Sequence, residues 1–225
     1  MPSSTVSVVL KREGMGRLGR IGLEPAATFE VSRPGEVVHV DTKKLGRIVG
    51  GAGHRVTGKR RHKDRPTRTD RDGVRRLKTG WEAVHVAVDG YSRLAYAEVL
   101  PDEKATTTVG FLTRMRAFYK RHGIEIERIH SDNGSAYVSR PFALALTLAG
   151  LRHTRSRPYR PQTNGKAERL IRTMLDGWAY GPIYGSSAER TAALEGWLVY
   201  YNHQRPHSSL NGRPPACRVP PGPGT

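Results

Sequence analysis

The chain has 225 residues, 36% of them hydrophobic and 26% charged, which allows one sizeable domain with some sequence left outside its core. Its 38 basic and 20 acidic residues give a net charge of +18, a balance that favours a polyanionic partner, nucleic acid first. The single Cys217 excludes an internal disulfide and a multi-cysteine zinc site, no run approaches the roughly 20 apolar residues of a membrane span, and VSVVL is too short for a signal peptide, so a cytoplasmic location is expected.

In chain order, residues 3–22 read as a short basic helix and a loop. Ser3 or Ser4 caps it, Val6, Val9 and Leu10 share a face, and Gly14 and Gly16 stop it. A linker follows at 25–34. The first strong strand is 36–41, where Val37, Val38 and Val40 lead to Asp41. From Gly46 to Gly80 apolar periodicity is lost in an Arg/Lys-rich stretch, expected to be a mobile loop or disordered insertion, either a DNA-contacting arm or a solvated excursion. WEAVHVAVDG and YSRLAYAEVL are two strands joined by a tight hairpin turn at Asp89-Gly90.

Residues 106–121 form a helix, because Val109, Phe111, Leu112, Met115, Phe118 and Tyr119 recur at helical spacing, and Gly123 ends it. A strand at 124–129 runs into His130-Ser131-Asp132. A helix at 139–149, a short strand at 151–154, a long helix at 163–178 and a last helix at 188–201 complete the chain before a Pro-rich tail. The expected organisation is an N-terminal extension (1–34), a core (35–216) carrying the basic insertion (45–80), and a loose tail (217–225). The element order gives an α/β fold with a mixed five-stranded sheet flanked by helices.

Three acids stand out by placement. Asp41 ends the first strand, Asp132 ends the fourth, and Glu168 sits near the start of the long helix. Strand ends are where an α/β sheet presents polar groups to a crevice. In that helix Ala167, Leu170, Ile171, Met174, Leu175 and Trp178 form one apolar stripe, with Glu168 on its edge, held beside the core at the sheet's margin. Converging carboxylates need cations between them, and hard divalent ions with oxygen ligands fit: Mg²⁺, or Mn²⁺ in its place. Two such ions about 4 Å apart suit an in-line displacement at phosphorus. Taken singly, each acid also has a plain explanation as a turn or helix-dipole residue.

The set resembles the integrase-core transposases of bacterial insertion sequences, within the DDE superfamily shared with retroviral integrases. VVHVDTKKLGR, HVAVDGYSRLAYAEVLP, HSDNGSAY, RPYRPQTNGKAERLIRTML and YYNHQRPHSSLNGRPP carry the resemblance across residues 36–216. Thirty-five residues separate Asp132 from Glu168, the spacing of the D-35-E subclass. The resemblance implies an RNase H-like fold, with Asp41, Asp132 and Glu168 as the metal-binding catalytic triad. It implies 3′-end nicking followed by strand transfer into double-stranded DNA, and a homo-oligomer that synapses two ends. It also implies that 1–34 is the remnant of a truncated helix-turn-helix region.

Around the triad, Lys43, Lys44, Asn133, Tyr159, Gln162, Asn164, Gly165, Lys166 and Arg169 are candidate DNA contacts. Gly165 lets a phosphate approach the helix N-terminus, and Lys166 and Arg169 lie either side of the scissile phosphate or on a solvated face. Asn133 contacts substrate or builds a turn. Tyr200, Tyr201, Asn202, His203, Arg205 and Pro206 match a C-terminal family signature and are expected to pack the last helix onto the core. Two other readings stay open: a plain nuclease using water as nucleophile, and a non-enzymatic DNA-binding remnant.

Overall fold

The computed structural model describes residues 3–13, 31–49, 51, 67–69, 73, 75–77, 80–156 and 164–220. Helix α1 (Ser3–Arg12) is followed by strand β1 (Val38–Gly46), the short strands β2 (Thr67–Thr69) and β3 (Arg75–Leu77), and the long β4 (Trp81–Asp89) and β5 (Ala95–Leu100). Helix α2 (Ala105–Arg121), strand β6 (Arg128–Ser131), helix α3 (Arg140–Leu148), strand β7 (Arg152–Arg155), and helices α4 (Gly165–Met174) and α5 (Ser187–His203) complete the order. The expected linker at 25–34 falls mostly outside the described residues, as do Gly14, Gly16 and residues 221–225.

The five main strands form one mixed sheet in the order β5-β4-β1-β6-β7. β1, β4 and β5 are antiparallel neighbours, while β6 and β7 run parallel to β1. One face buries Phe111, Leu112, Met115 and Tyr119 of α2 and Phe142 and Leu146 of α3 against Val38, Val40 and Ile129. The other face packs Ala167, Leu170 and Met174 of α4 and Leu194 and Tyr201 of α5 onto Leu45, Val84, Val86 and Val88. The predicted five-stranded sheet with flanking helices is what the chain forms.

Four local expectations change. β1 does not stop at Asp41 but continues to Gly46, because β4 is long enough to pair with it along its whole length, from Val38↔Asp89 to Gly46↔Trp81. The fourth main strand starts later than expected, at Arg128, since residues 124–127 have no strand partner. The Asp89-Gly90 turn is a wider loop wrapped around a fully buried Asp89, whose carboxylate accepts bonds from the Gly35, Tyr91 and Ser92 backbone N–H groups and the Ser92 hydroxyl. Within the basic insertion, β2 and β3 pair antiparallel, so part of it has regular structure; residues 52–66 lie outside the description.

Helix ends follow local chemistry. Ser139 caps α3 by accepting from the Phe142 N–H at 3.3 Å, and Ser186 caps α5 by accepting from the Glu189 N–H at 3.2 Å. α4 runs on through a π-helical turn (Leu175–Ala179) that seats Trp178, whose indole N–H donates to the Arg190 carbonyl at 2.7 Å. Arg190, 1% exposed, pairs with Glu82 at 2.8 Å and donates to the Gly46 carbonyl at 2.9 Å, tying α5 to the far ends of β1 and β4. Asn202 bonds both the N–H and the carbonyl of Ala95 at 2.8 Å, so α5 also satisfies the edge strand. Tyr201 and Asn202 thus pack as the signature predicted, whereas Tyr200 and His203 face outward. Among the described residues no helix is long and apolar enough to cross a membrane.

Breaking a buried ion pair strands a charge. Glu82→Ala is therefore expected to cost about 3 kcal/mol, read as a lowered urea midpoint. A midpoint within error of the parent's would contradict the pairing.

Candidate active site

Asp41 sits where β1 loses its parallel neighbour. β6 pairs with β1 only at Val38 and His39, so beyond His39 that edge of β1 is open. β6 ends at Ser131, and Asp132 follows at once. The two aspartates therefore meet at the same edge and line one cleft of about 100 Å³ with Thr42, Glu103, Gly134 and Tyr137. Each has one carboxylate oxygen anchored locally: Asp41 accepts from the Thr42 N–H at 2.7 Å and Asp132 from the Gly134 N–H at 2.8 Å. Among the described residues no hydrogen bond engages the second oxygen of either.

Glu168 lies in the first turn of α4 and is exposed, in contrast to the neighbouring Ala167 and Leu170, which are buried. The expectation that it is held beside the core is corrected: the apolar stripe docks as predicted, and the glutamate points off it. Glu168 does not line the aspartates' cleft, although its charge is felt at Asp41. Among the described residues no three His, Cys, Asp or Glu side chains are close enough to hold a metal ion. Like charges repel, so three carboxylates do not close on one another by themselves.

The Asp41 carboxyl is pushed up to about 6, first by burial and then by the charges of Asp132 and Glu168, against the lowering by the Thr42 N–H and Lys43. It is a carboxylate short of positive charge. The donor set, two aspartates and a nearby glutamate, consists of hard oxygens, so the residues fit a hard divalent cation such as Mg²⁺.

Behind Asp41 runs a chain of polar groups. The Asp102 carbonyl can only accept, so His85 Nε2 carries the proton of that 2.9 Å bond and His85 Nδ1 is the acceptor. The Thr42 hydroxyl then donates to His85 at 3.4 Å, and the Tyr137 hydroxyl donates to Thr42 at 3.0 Å. Burial holds His85 below its ordinary value, consistent with a neutral ring. His39, elsewhere on β1 with its ring 5.2 Å from that of His130, is 1% exposed and lowered to about 3, chiefly by burial. Sequence reasoning missed Thr42, His85, Glu103 and Tyr137 as site residues, although all but Glu103 lay in quoted motifs.

The candidate DNA contacts separate into groups. Lys43 and Lys44 are exposed near Asp41, and Lys44 pairs with Glu103 at 2.6 Å. Asn133 is exposed, yet its amide donates to the Ser156 carbonyl at 2.8 Å, which favours the turn-building alternative. Asn164 is 2% exposed and donates to the Val40 carbonyl at 3.2 Å, so its burial removes it from DNA contact and makes it the peg joining α4 to the strand of Asp41. A Cβ at Gly165 would meet nothing within 4 Å, so the helix start is open. Lys166 and Arg169 lie together on a second cleft rather than on either side of the aspartates. Tyr159 and Gln162 fall outside the described residues.

Residues 31–161 match the integrase core domain family, and residues 149–215 match a second family of the same description. The chain belongs to the integrase core domain family. That places it among the polynucleotidyl transferases. It is 34% identical over 131 residues to the uncharacterized protein K02A2.6 of Caenorhabditis elegans, an overlap of 58% of this chain and 10% of that protein. It is 33% identical over 90 residues to the retrovirus-related Pol polyprotein from transposon TNT 1-94 of Nicotiana tabacum, covering 40% of this chain and 7% of that protein. The chain thus spans about a tenth or less of the length of these relatives.

Among solved structures, the integrase core is similar to the simian T-cell lymphotropic virus intasome in complex with PP2A regulatory subunit B56 gamma (TM-score 0.59, 19% identity, covering 100% of this chain and 71% of that one). It is also similar to the catalytic core domain of BIV integrase (TM-score 0.51, 21% identity, 80% and 91% covered). A third likeness is to the HTLV-2 integrase catalytic core domain in complex with magnesium (TM-score 0.52, 15% identity, 83% and 97% covered). These likenesses establish an RNase H-like fold.

Asp41 gives a pH signature. Its folded value of about 6 lies above the ordinary 3.8, so ionising it opposes folding. Without divalent cations, its contribution is fully present below about pH 4 and is lost as pH rises through about 6. Asp41→Asn is expected to remove that loss and exceed the parent by about 1–3 kcal/mol above pH 7. Parallel pH–stability curves for the two proteins would show that the carboxylate is not strained.

Proposed function

We propose that the chain is the catalytic core of a DNA transposase or integrase that nicks 3′ ends and joins them to target DNA, with Asp41, Asp132 and Glu168 as its metal-binding catalytic residues. The observation that carries the reading is the meeting of Asp41 and Asp132 at the open edge of β1, with Asp41 raised first by burial and then by the neighbouring negative charges. Family membership, a transposon-borne relative and a magnesium-bound structural neighbour support it. The 35-residue spacing and quoted motifs support the insertion-sequence class, acting on bacterial DNA in the cytoplasm.

Divalent cations, Mg²⁺ or Mn²⁺ and two in number, would supply activation of the attacking oxygen and stabilisation of the leaving one at phosphorus. The protein's own residues do the positioning. Asn164 pegs the start of α4 to Val40, one residue before Asp41, and so limits where Glu168 can travel. The Tyr137–Thr42–His85 chain steadies the residue whose N–H holds Asp41. Lys43 and the open helix start at Gly165 would approach the phosphodiester backbone. Nicking and joining are the same displacement with water or a 3′-hydroxyl as nucleophile, so one site serves both. A homo-oligomer holding two DNA ends, with 1–34 as part of an end-recognition region, completes the reading.

Purified protein is expected to nick and join DNA bearing its element's ends only with Mg²⁺ or Mn²⁺. Asp132→Asn should abolish both steps while duplex binding stays within about twofold of the parent, since phosphate contacts lie elsewhere. Strand transfer retained in Asp132→Asn would refute the triad. Cleavage with no joining under any condition would assign the site to a nuclease. Asn164→Ala should lower the turnover rate with little change in duplex affinity; an equal loss in both would mean it serves binding.

A further inference from the structure

A second cleft, of about 540 Å³, lies apart from the one that holds the aspartates. Its walls come from α4, the β4–β5 loop and the segment after α5, and they bring Arg93, Lys166, Arg169 and Arg205 to one place. Among the described residues none of these four makes a salt bridge. The carboxylates nearby are already engaged: Asp89 by three backbone N–H groups and a serine hydroxyl, and Glu36 by Ser32. Two of the cations are half-buried and held below their ordinary values, Lys166 by burial and then Arg93, and Arg93 by burial and then Arg218.

Two further features point to a ligand. Arg93 has a left-handed backbone, φ 67°, unusual for a side chain of its size, and its guanidinium donates to the Gly90 carbonyl at 2.6 Å. The loop thus holds a charged group in a costly conformation facing other cations. His207, 8% exposed and lining the same cleft, has a buried Nε2 with no hydrogen-bond partner. A folded protein does not gather half-buried like charges and an orphaned ring nitrogen for stability.

We propose that this cleft binds a DNA backbone phosphate at a site separate from the carboxylates. The assignment to DNA rests on the reading under Proposed function; the anion site itself follows from the cleft. α4 couples the two places. Lys166, Arg169 and Thr173 recur at i, i+3 and i+7 and face the cleft, while Glu168 falls more than a quarter-turn away on the same rigid helix. A phosphate held on one face would therefore fix the DNA strand relative to the carboxylate on the other.

The test is duplex binding by the full chain in EDTA, where chemistry is silent, measured by fluorescence anisotropy across a salt series. The Lys166→Gln, Arg169→Gln double variant is expected to bind several-fold more weakly, with the log–log salt slope reduced by about two. Arg169→Lys should retain the slope, which separates charge from shape. An unchanged melting temperature shows that the variant is folded. If it is destabilised, perturbation of the His207 ring signals of the parent by the same duplex replaces it as the readout.

An unchanged slope, or no perturbation of His207, overturns the site. Inorganic phosphate that perturbs His207 while the duplex does not, with an unchanged slope, makes it a small-anion site and overturns the DNA assignment. Asp41→Asn in the same assay should keep the parent's slope. Loss of metal-dependent cleavage with the slope kept therefore bears on the carboxylates, and loss of slope bears on the cleft.

Discussion

The structure turns on how β1 is paired. On one side it runs antiparallel to β4 for nine residues; on the other it has a parallel partner for only two, Val38 and His39. The first pairing makes β1 rigid past Asp41, and the second leaves that edge bare at the point where Asp132 emerges from β6. Backbone hydrogen bonding is directional and registered, so this mismatch in strand length places two carboxylates together without any attraction between them. Burial first, and then the repulsion that results, raise the Asp41 carboxyl. It persists because a sheet of five strands, packed on both faces, over-determines the position of the side chain.

α4 is the second constraint. Its apolar stripe docks on β4 and β1, and Asn164 pegs its start to the Val40 carbonyl. Once that stripe is seated, the phase of every other side chain follows from 3.6 residues per turn. Glu168 is sent toward the aspartate edge, and Lys166 and Arg169 toward the basic cleft. One ten-residue helix thus separates negative from positive groups in a chain whose net charge is +18. The Arg190–Glu82 pair and the Asn202 bonds to Ala95 keep α5 in place, and with it the Arg205 and His207 wall of that cleft.

Much of this was legible in the residues. Period-two runs such as HVAV and the helical spacing of Phe111, Leu112, Met115 and Tyr119 reported the strands and α2 because burial selects one face. Asp132 and Glu168 were singled out by spacing and motif. The end of β1 was not: Thr42, Lys43 and Lys44 look like a loop, and only the length of β4 draws them into the sheet. The exposure of Glu168 was misjudged because angular phase says which stripe a residue borders and not how closely the neighbouring element approaches. Asn164 reads as a polar residue in a DNA-contacting motif, and its burial depends on a carbonyl 124 positions away in the chain.

What the sequence determined by itself was the class of chemistry: three acids in order, a strongly basic chain, and an alternation of elements that yields a mixed sheet. These are local or additive properties, carried by residue type and period. What only the tertiary structure decided was which charges meet. Asp41 and Asp132 share a cleft with Glu103, Lys166 and Arg169 share another with Arg93 and Arg205, and Asp89 is sealed inside a loop. The physical reason is that electrostatic energy depends on distance through space and on burial, and both are set by strand register and helix docking between segments far apart in the chain.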